Sequence, residues 1–239
     1  MLKQLLALMP QEHFLYLGDS INAPYGTKPV QKVRELTLLR IQELVSEGVK
    51  AVVVACNTAT SAAIDVLRAS YPELIIVGIE PALKLAADHT QEGAIAVLAT
   101  AMTLREEKFQ SLMRQYSSSL EILPIALSGL VELIEAGTLE GPQVEDFLHQ
   151  KLDAYRGRLG GIVLGCTHYP FVKRAIQAVV GPEIALYDGG EGTARETKRR
   201  LEEAGLLCHA GEGSLDLRSS DGNPATLELF DSLLRKTDL

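Results

Sequence analysis

Short apolar runs alternate with amphipathic stretches along this chain, and that pattern alone outlines a fold. "FLYLG" (14–18) reads as a strand and "DSINAPYGTKP" as the loop after it. Residues 29–47 follow as a helix: Val30, Val33, Ile41 and Leu44 share one face, Pro29 suits the first turn and Gly48 ends it. "AVVVA" (51–55) has the length of a strand and is too short for a helix. A helix from about Ala59 to Ser70 stops before Pro72, and "LIIVGI" (74–79) is the next strand. From "EPALKLAADH" (80–89) a second series begins, with strand 94–98, helix 103–116, strand 120–125 and helices 129–136 and 142–156. It continues through strand 161–165, helix 170–180 and strand 184–187. A helix at 192–204, a short strand near 206–209 and a helix at 224–236 complete the series. Fully apolar strands between amphipathic helices predict an α/β fold with parallel sheets flanked by helices on both faces. The carboxyl ends of the strands are then the ligand side.

Two of these strands end alike. Val52-Val53-Val54-Ala55-Cys56-Asn57-Thr58 aligns without gaps with Ile162-Val163-Leu164-Gly165-Cys166-Thr167-His168. The spacing is far longer than a solenoid repeat. It predicts two similar lobes, 1–80 plus 190–239 and 81–189, each presenting a thiol at the same place, with the active site in the cleft between them.

Composition narrows the class. With 239 residues, 46% of them hydrophobic and 23% charged, the chain can bury a real core. A net charge of −8 and a pI near 5.2 argue against a nucleic-acid surface. The cluster Lys198-Arg199-Arg200 runs straight into Glu202 and Glu203 and reads as a solvated helix face. No apolar run approaches the roughly 18 residues of a membrane span, and "MLKQLLALMPQEHF" is too short and too interrupted for a signal peptide. Three cysteines make no disulfide framework and no zinc motif, so a reduced, cytoplasmic protein without a bound metal is expected.

The chemistry lies in the two matched thiols. Each is expected at a strand end just before a helix N-terminus, where free N–H groups and the helix dipole favour a thiolate. His168, two residues past Cys166, can add charge or shuttle protons. Asn57, Thr58 and Thr167 supply hydrogen bonds, and helix N-termini suit a carboxylate. Racemisation needs two bases on opposite sides of one tetrahedral carbon, each able to act in either protonation state. Two other readings stand beside this one. A free cysteine at a strand end is often only a small buried hydrophobe, and a redox dithiol more usually has neighbouring cysteines. Cys208, in "LLCHAGEG", lacks such a context and reads as structural.

At these residues the chain resembles the aspartate/glutamate racemase family along nearly its whole length. "YLGDSINAPYGTK" resembles the family's Y-x-G-D…P-Y-G-x-K loop, and "VACNTATS" and "LGCTHYP" its two catalytic segments. "VGIEPA", "LATAMT" and "LIEAG" are similar to further family segments. The resemblance implies Cys56 and Cys166 as the acid/base thiols, His168 as the assistant of Cys166, and Glu135 as a supporting charge. It implies substrate contacts from Tyr25, Gly26, Asn57, Thr58, Thr167 and His168, with Thr100 and Thr103 as further candidates. On the residues alone, Glu135 would be a solvated helix carboxylate and Tyr25-Gly26 a turn. The implied activity is cofactor-independent interconversion of L- and D-glutamate, supplying D-glutamate for peptidoglycan, and the resemblance allows a homodimer. No lysine sits in a context that suggests a Schiff base. A racemase for aspartate or another acidic amino acid, or an inactive glutamate-binding homologue, are the alternative readings. Two departures accompany the resemblance. The family's opening strand and D-S-G-x-G-G loop have no counterpart after Met1, where "MLKQLLALMP" resembles the helix that follows them. Glu106 and Phe109 stand where the family more often has Ser and Tyr.

Overall fold

The computed structural model describes residues 1–117 and 120–236, so residues 237–239 of the first expected lobe lie outside the description. The described residues form two compact units, 1–79 with 190–236, and 80–189. The first unit opens with α1 (Leu2–Leu8), β1 (His13–Gly18), α2 (Val30–Ser46), β2 (Ala51–Val54), α3 (Asn57–Ser70) and β3 (Ile75–Gly78). The second contains α4 (Leu83–His89), β4 (Ala94–Ala99), α5 (Ala101–Arg105), α6 (Glu107–Tyr116) and β5 (Ile122–Ala126). It continues with α7 (Leu130–Glu135), α8 (Pro142–Leu152), β6 (Leu159–Leu164), α9 (Lys173–Val180) and β7 (Ala185–Asp188). The chain then returns to the first unit with α10 (Gly190–Glu203), β8 (Ser214–Ser219) and α11 (Pro224–Arg235).

All strand pairing among the described residues is parallel, as the apolar runs predict. In the first unit β1 pairs with β8, from His13 opposite Ser214 to Gly18 opposite Ser219, and β2 pairs with β3. In the second unit the order is β5-β4-β6-β7. Strand alternation explains how both faces of β2 are covered. Val52 and Val54 join Ile41 of α2 and Ala59, Ala63, Ile64 and Leu67 of α3 in one cluster. Ala51 and Val53 turn the other way, onto Leu5 of α1 and Ala194 and Leu201 of α10. In the second unit every residue of β4 is buried. Ile95, Val97 and Ala99 pack with Leu83, Leu104, Phe109 and Met113 on one face.

Three expected helices need correction. Helix 103–116 is broken at Glu106, whose ψ of 134° is extended. The Leu104 carbonyl accepts from the Gln110 side chain at 2.7 Å instead of continuing the helical ladder. Helix 170–180 begins as a 3-10 turn, Tyr169–Val172, and becomes α only at Lys173. Similarly, the last residues of the expected helix 142–156 include a 3-10 turn, Asp153–Tyr155.

The strand expected near 206–209 does not form. Its backbone bonds side chains instead: the Leu206 carbonyl accepts from Lys50 Nζ at 2.6 Å, and the Cys208 N–H donates to Glu12 Oε1 at 2.8 Å. The strand of this region is β8, whose residues alternate between exposed and half-buried in the register that β1 requires. Among the described residues no helix is long and apolar enough to cross a membrane.

Candidate active site

In the first unit the chain leaves β2 and reaches Cys56 at the N-cap of α3, with φ −146° and ψ 119°. Its Sγ accepts from the Ala59 N–H at 3.5 Å, and its carbonyl accepts from the Thr60 N–H at 2.8 Å. Serine, threonine or aspartate would cap this helix better, because oxygen accepts an N–H bond more strongly than sulfur. A thiol at this position trades helix stability for reactivity, since the N–H groups and dipole of a 14-residue helix favour a thiolate there. Asn57 and Thr58 are buried behind it, and Asn57 Oδ1 has no hydrogen-bond partner among the described residues. Such an acceptor costs roughly 1–3 kcal/mol until something donates to it.

Tyr25 and Cys56 border the same apolar cluster. Tyr25 opens a 3-10 turn, Tyr25–Thr27, that also contains the half-buried Gly26. Its hydroxyl donates to Asp19 Oδ2 at 2.6 Å, and Asn22 Nδ2 donates to both Asp19 oxygens at 3.0 Å. Burial and the Asp19 carboxylate together hold the phenol well above its ordinary range, so it acts as a donor. Asp19 was not legible as a site residue: its relation to Tyr25 appears only once the turn between them is folded.

In the second unit Cys166 follows β6 after Gly165. A Cβ on Gly165 would lie 2.9 Å from the Leu98 carbonyl, so glycine lets the chain run close to β4. The expected α-helix N-terminus is not adjacent to Cys166, because the 3-10 turn Tyr169–Val172 intervenes before α9. What stands next to this thiol is a side chain. His168 Nδ1 lies 3.8 Å from Cys166 Sγ, and His168 Nε2 lies 2.6 Å from Glu135 Oε1, at the last residue of α7. The fold thus brings Glu135 and His168, 33 residues apart, into contact. Burial alone would lower the imidazole, but Cys166 and Glu135 outweigh it and push His168 up to about 10. An imidazolium donates from both nitrogens, so Glu135 and Cys166 can be served together.

Thr100 caps α5, accepting from the Thr103 N–H at 3.2 Å, and the two hydroxyls lie 2.9 Å apart. Thr103 is fully buried, while Thr167 is half-buried beside Cys166. Tyr169 is also fully buried and donates to the Leu127 carbonyl at 3.4 Å. Cys208 Sγ accepts from Lys50 Nζ at 3.4 Å. Among the described residues no group of three or more His, Cys, Asp or Glu is arranged to hold a metal ion.

A family model described as Asp/Glu/Hydantoin racemase matches residues 1–197, and the chain belongs to that family. It is therefore a racemase, an isomerase by class. It is 46% identical over 238 residues to the glutamate racemase of Clostridium botulinum strain Alaska E43, covering 99% of this chain and 92% of that protein. It is 48% identical over 235 residues to the glutamate racemase of Clostridium perfringens strain ATCC 13124, covering 98% and 90%. Among solved structures, the glutamate racemase of Thermus thermophilus in complex with beta-chloro-D-alanine superposes with a TM-score of 0.82 at 34% identity. That match covers 98% of this chain and 88% of the other. The Escherichia coli glutamate racemase in complex with L-glutamate and activator UDP-MurNAc-ala gives a TM-score of 0.84 at 26% identity, covering 98% and 89%.

Proposed function

We propose that this chain interconverts L- and D-glutamate without a cofactor, with Cys56 and Cys166 as the two acid/base groups. The observation that carries the proposal is the Glu135–His168–Cys166 array, which sets a cation beside a free thiol. Cys56 meets the same need by another route, through its position at the N-cap of α3. The names of the relatives at 46% and 48% identity support glutamate as substrate.

The chemistry balances without further reactants. A thiolate takes the Cα proton, and the C–H electron pair delocalises into the α-carboxylate. The thiol on the opposite face gives its proton to Cα as that pair returns. One thiolate and one thiol are present before and after, with their places exchanged, so the same groups run the reverse reaction. In one direction Cys166 is the base, and in the other it is the acid. His168 holds the positive charge that stabilises its thiolate form, and Glu135 holds His168 protonated.

Tyr25, Gly26, Asn57, Thr58, Thr167 and His168 supply the substrate contacts in this reading, with Thr100 and Thr103 behind them. The unpaired, buried Asn57 Oδ1 suits the substrate ammonium, a donor without acceptor capacity. The product D-glutamate would serve bacterial peptidoglycan synthesis.

The test is Cα hydrogen exchange on incubating the purified protein with L-glutamate in D2O. Exchange with formation of D-glutamate is expected, unaffected by exhaustive dialysis or by hydroxylamine, and much faster than with L-aspartate. Cys56→Ser and Cys166→Ser should each abolish racemisation. Normal racemisation by both single variants would overturn the two-thiol reading. Growth of a D-glutamate auxotroph on expression of the chain checks the cellular role.

A further inference from the structure

The segment from Asp19 to Thr27 carries Tyr25 and is held within itself by short-range bonds, those of Asn22 and Tyr25 to Asp19 and of Thr27 Oγ1 to the Pro24 carbonyl. Its two 3-10 turns, Ser20–Asn22 and Tyr25–Thr27, have no side-chain cap bond. Their internal backbone bonds run only from Asn22 to Asp19, Ala23 to Ser20 and Lys28 to Tyr25. Ile21 at its tip is 66% exposed. Local bonds of this kind leave a segment free to move as a body unless something outside it anchors it.

The anchor comes from nearly 200 residues away in the chain. After β8, Ser220 Oγ accepts from the Ile21 N–H at 3.2 Å, and the Ser220 N–H donates to the Gly18 carbonyl at 2.8 Å. Ser219 Oγ lies 3.0 Å from Ser20 Oγ. The anchoring turn is itself firmly built. Asp221 Oδ1 accepts from Ser219 Oγ at 2.7 Å and from the Asn223 N–H at 3.0 Å, while its Oδ2 accepts from Thr226 Oγ1 at 2.7 Å. Asn223 Oδ1 then caps α11, accepting from the Ala225 N–H at 3.1 Å. One turn further along α11, the Phe230 ring meets Tyr16 of β1 edge-on, with centroids 5.3 Å apart. It also covers Gly18, where a Cβ would lie 2.6 Å from its Cζ.

We propose that Ser219 and Ser220 are positioning residues: the turn after β8 fixes the Asp19–Thr27 segment and thereby sets Tyr25 for substrate. Their bonds go to Ser20, to the Ile21 N–H and to the Gly18 carbonyl, so they act through the segment and not on the reacting atoms. The consequence for substrate rests on the glutamate reading above, whereas the anchoring itself does not.

Two measurements on Ser220→Ala, Ser219→Ala and Ser220→Thr separate these layers. Amide hydrogen exchange at Ile21, Asn22 and Ala23 should quicken about 5-fold in Ser220→Ala, the equivalent of one hydrogen bond of about 1 kcal/mol. Threonine, which keeps the hydroxyl, should restore it. In steady-state assays the KM for L-glutamate should rise by a similar factor in Ser220→Ala with kcat changed less, and Ser220→Thr should return KM to its original value. A lowered Tm with unchanged exchange at 21–23 and unchanged KM would overturn the proposal, because that is what a merely structural serine gives. If the unaltered protein does not racemise glutamate, the glutamate reading fails, and the exchange measurement still decides the anchoring.

Discussion

Glu135→Gln removes one negative charge from the His168 imidazole while keeping a side chain of nearly the same shape. In the intact protein His168 rises from its ordinary 6.5 to about 10, with burial opposing Cys166 and Glu135. At about 1.4 kcal/mol for each pH unit, that net gap is worth roughly 5 kcal/mol, which is what both partners together supply after burial has been offset. The two side chains are 31% and 32% exposed, so solvent screens part of it. A charge-assisted hydrogen bond of about 1.5–3 kcal/mol is the realistic share of Glu135, equivalent to a fall of about 1–2 pH units in the His168 midpoint. The sign follows from the raised value. The stabilisation is fully present below pH 6.5 and is lost as pH rises through about 10. In Glu135→Gln the contribution is smaller and its loss is complete about 1–2 pH units earlier. The assay is an NMR titration of labelled histidine, with His168→Asn used to assign the resonance. The alkaline limb of kcat/KM should move down in step. L- and D-glutamate are mirror images of equal free energy, so kcat/KM must fall by the same factor in both directions. A His168 midpoint near 6.5 in the intact protein, or one that Glu135→Gln leaves in place, would refute the reasoning.

Further outcomes follow from the packing and the loop. Tyr25→Phe removes the hydroxyl that donates to Asp19 at 2.6 Å and should lower kcat/KM about 5-fold or more, as read by steady-state kinetics. Gly160→Ala would set a Cβ 1.8 Å from the Glu92 carbonyl oxygen, a backbone atom that cannot swing aside, and should destabilise the protein by about 3 kcal/mol in urea unfolding. Glu12, 5% exposed, would rise on burial, but Lys50 at 2.7 Å and the Cys208 N–H hold its carboxyl below the ordinary 4.5. That contribution is present above pH 4.5 and lost as pH falls through the lower folded value, so Glu12→Gln should flatten the acid limb of stability. The same change should cost about 2 kcal/mol at pH 7, by thermal melts.

Much of the fold was legible because apolar strand runs and helical spacing report burial directly. "AVVVA" became β2, with Val52 and Val54 facing α2 and α3 and Ala51 and Val53 facing α1 and α10. β8 was missed because "SLDLRS" is polar at every second position and lies half-buried against β1 alone. The more apolar "LLCH" drew the assignment instead, yet its backbone is bonded by Lys50 and Glu12 from distant elements. The two cysteine segments read as equivalents, but their surroundings differ. Cys56 caps an α-helix, whereas Pro170 and the turn around it give Cys166 a 3-10 neighbour and leave the local charge to His168. Contacts such as Asp19 with Tyr25, and Ser220 with Ile21, depend on turns and return connections that no local period encodes.

The most direct test of the two-thiol claim is where deuterium goes in the first turnovers. Protein in D2O is given protonated L-glutamate and stopped at low conversion, and both enantiomers are separated and weighed for label at Cα. With one thiol removing the proton and the opposite, solvent-equilibrated thiol supplying its replacement, the D-glutamate formed carries deuterium while the remaining L-glutamate stays protonated. D-glutamate that retains its original Cα proton would mean a single base serving both faces, and would contradict the account.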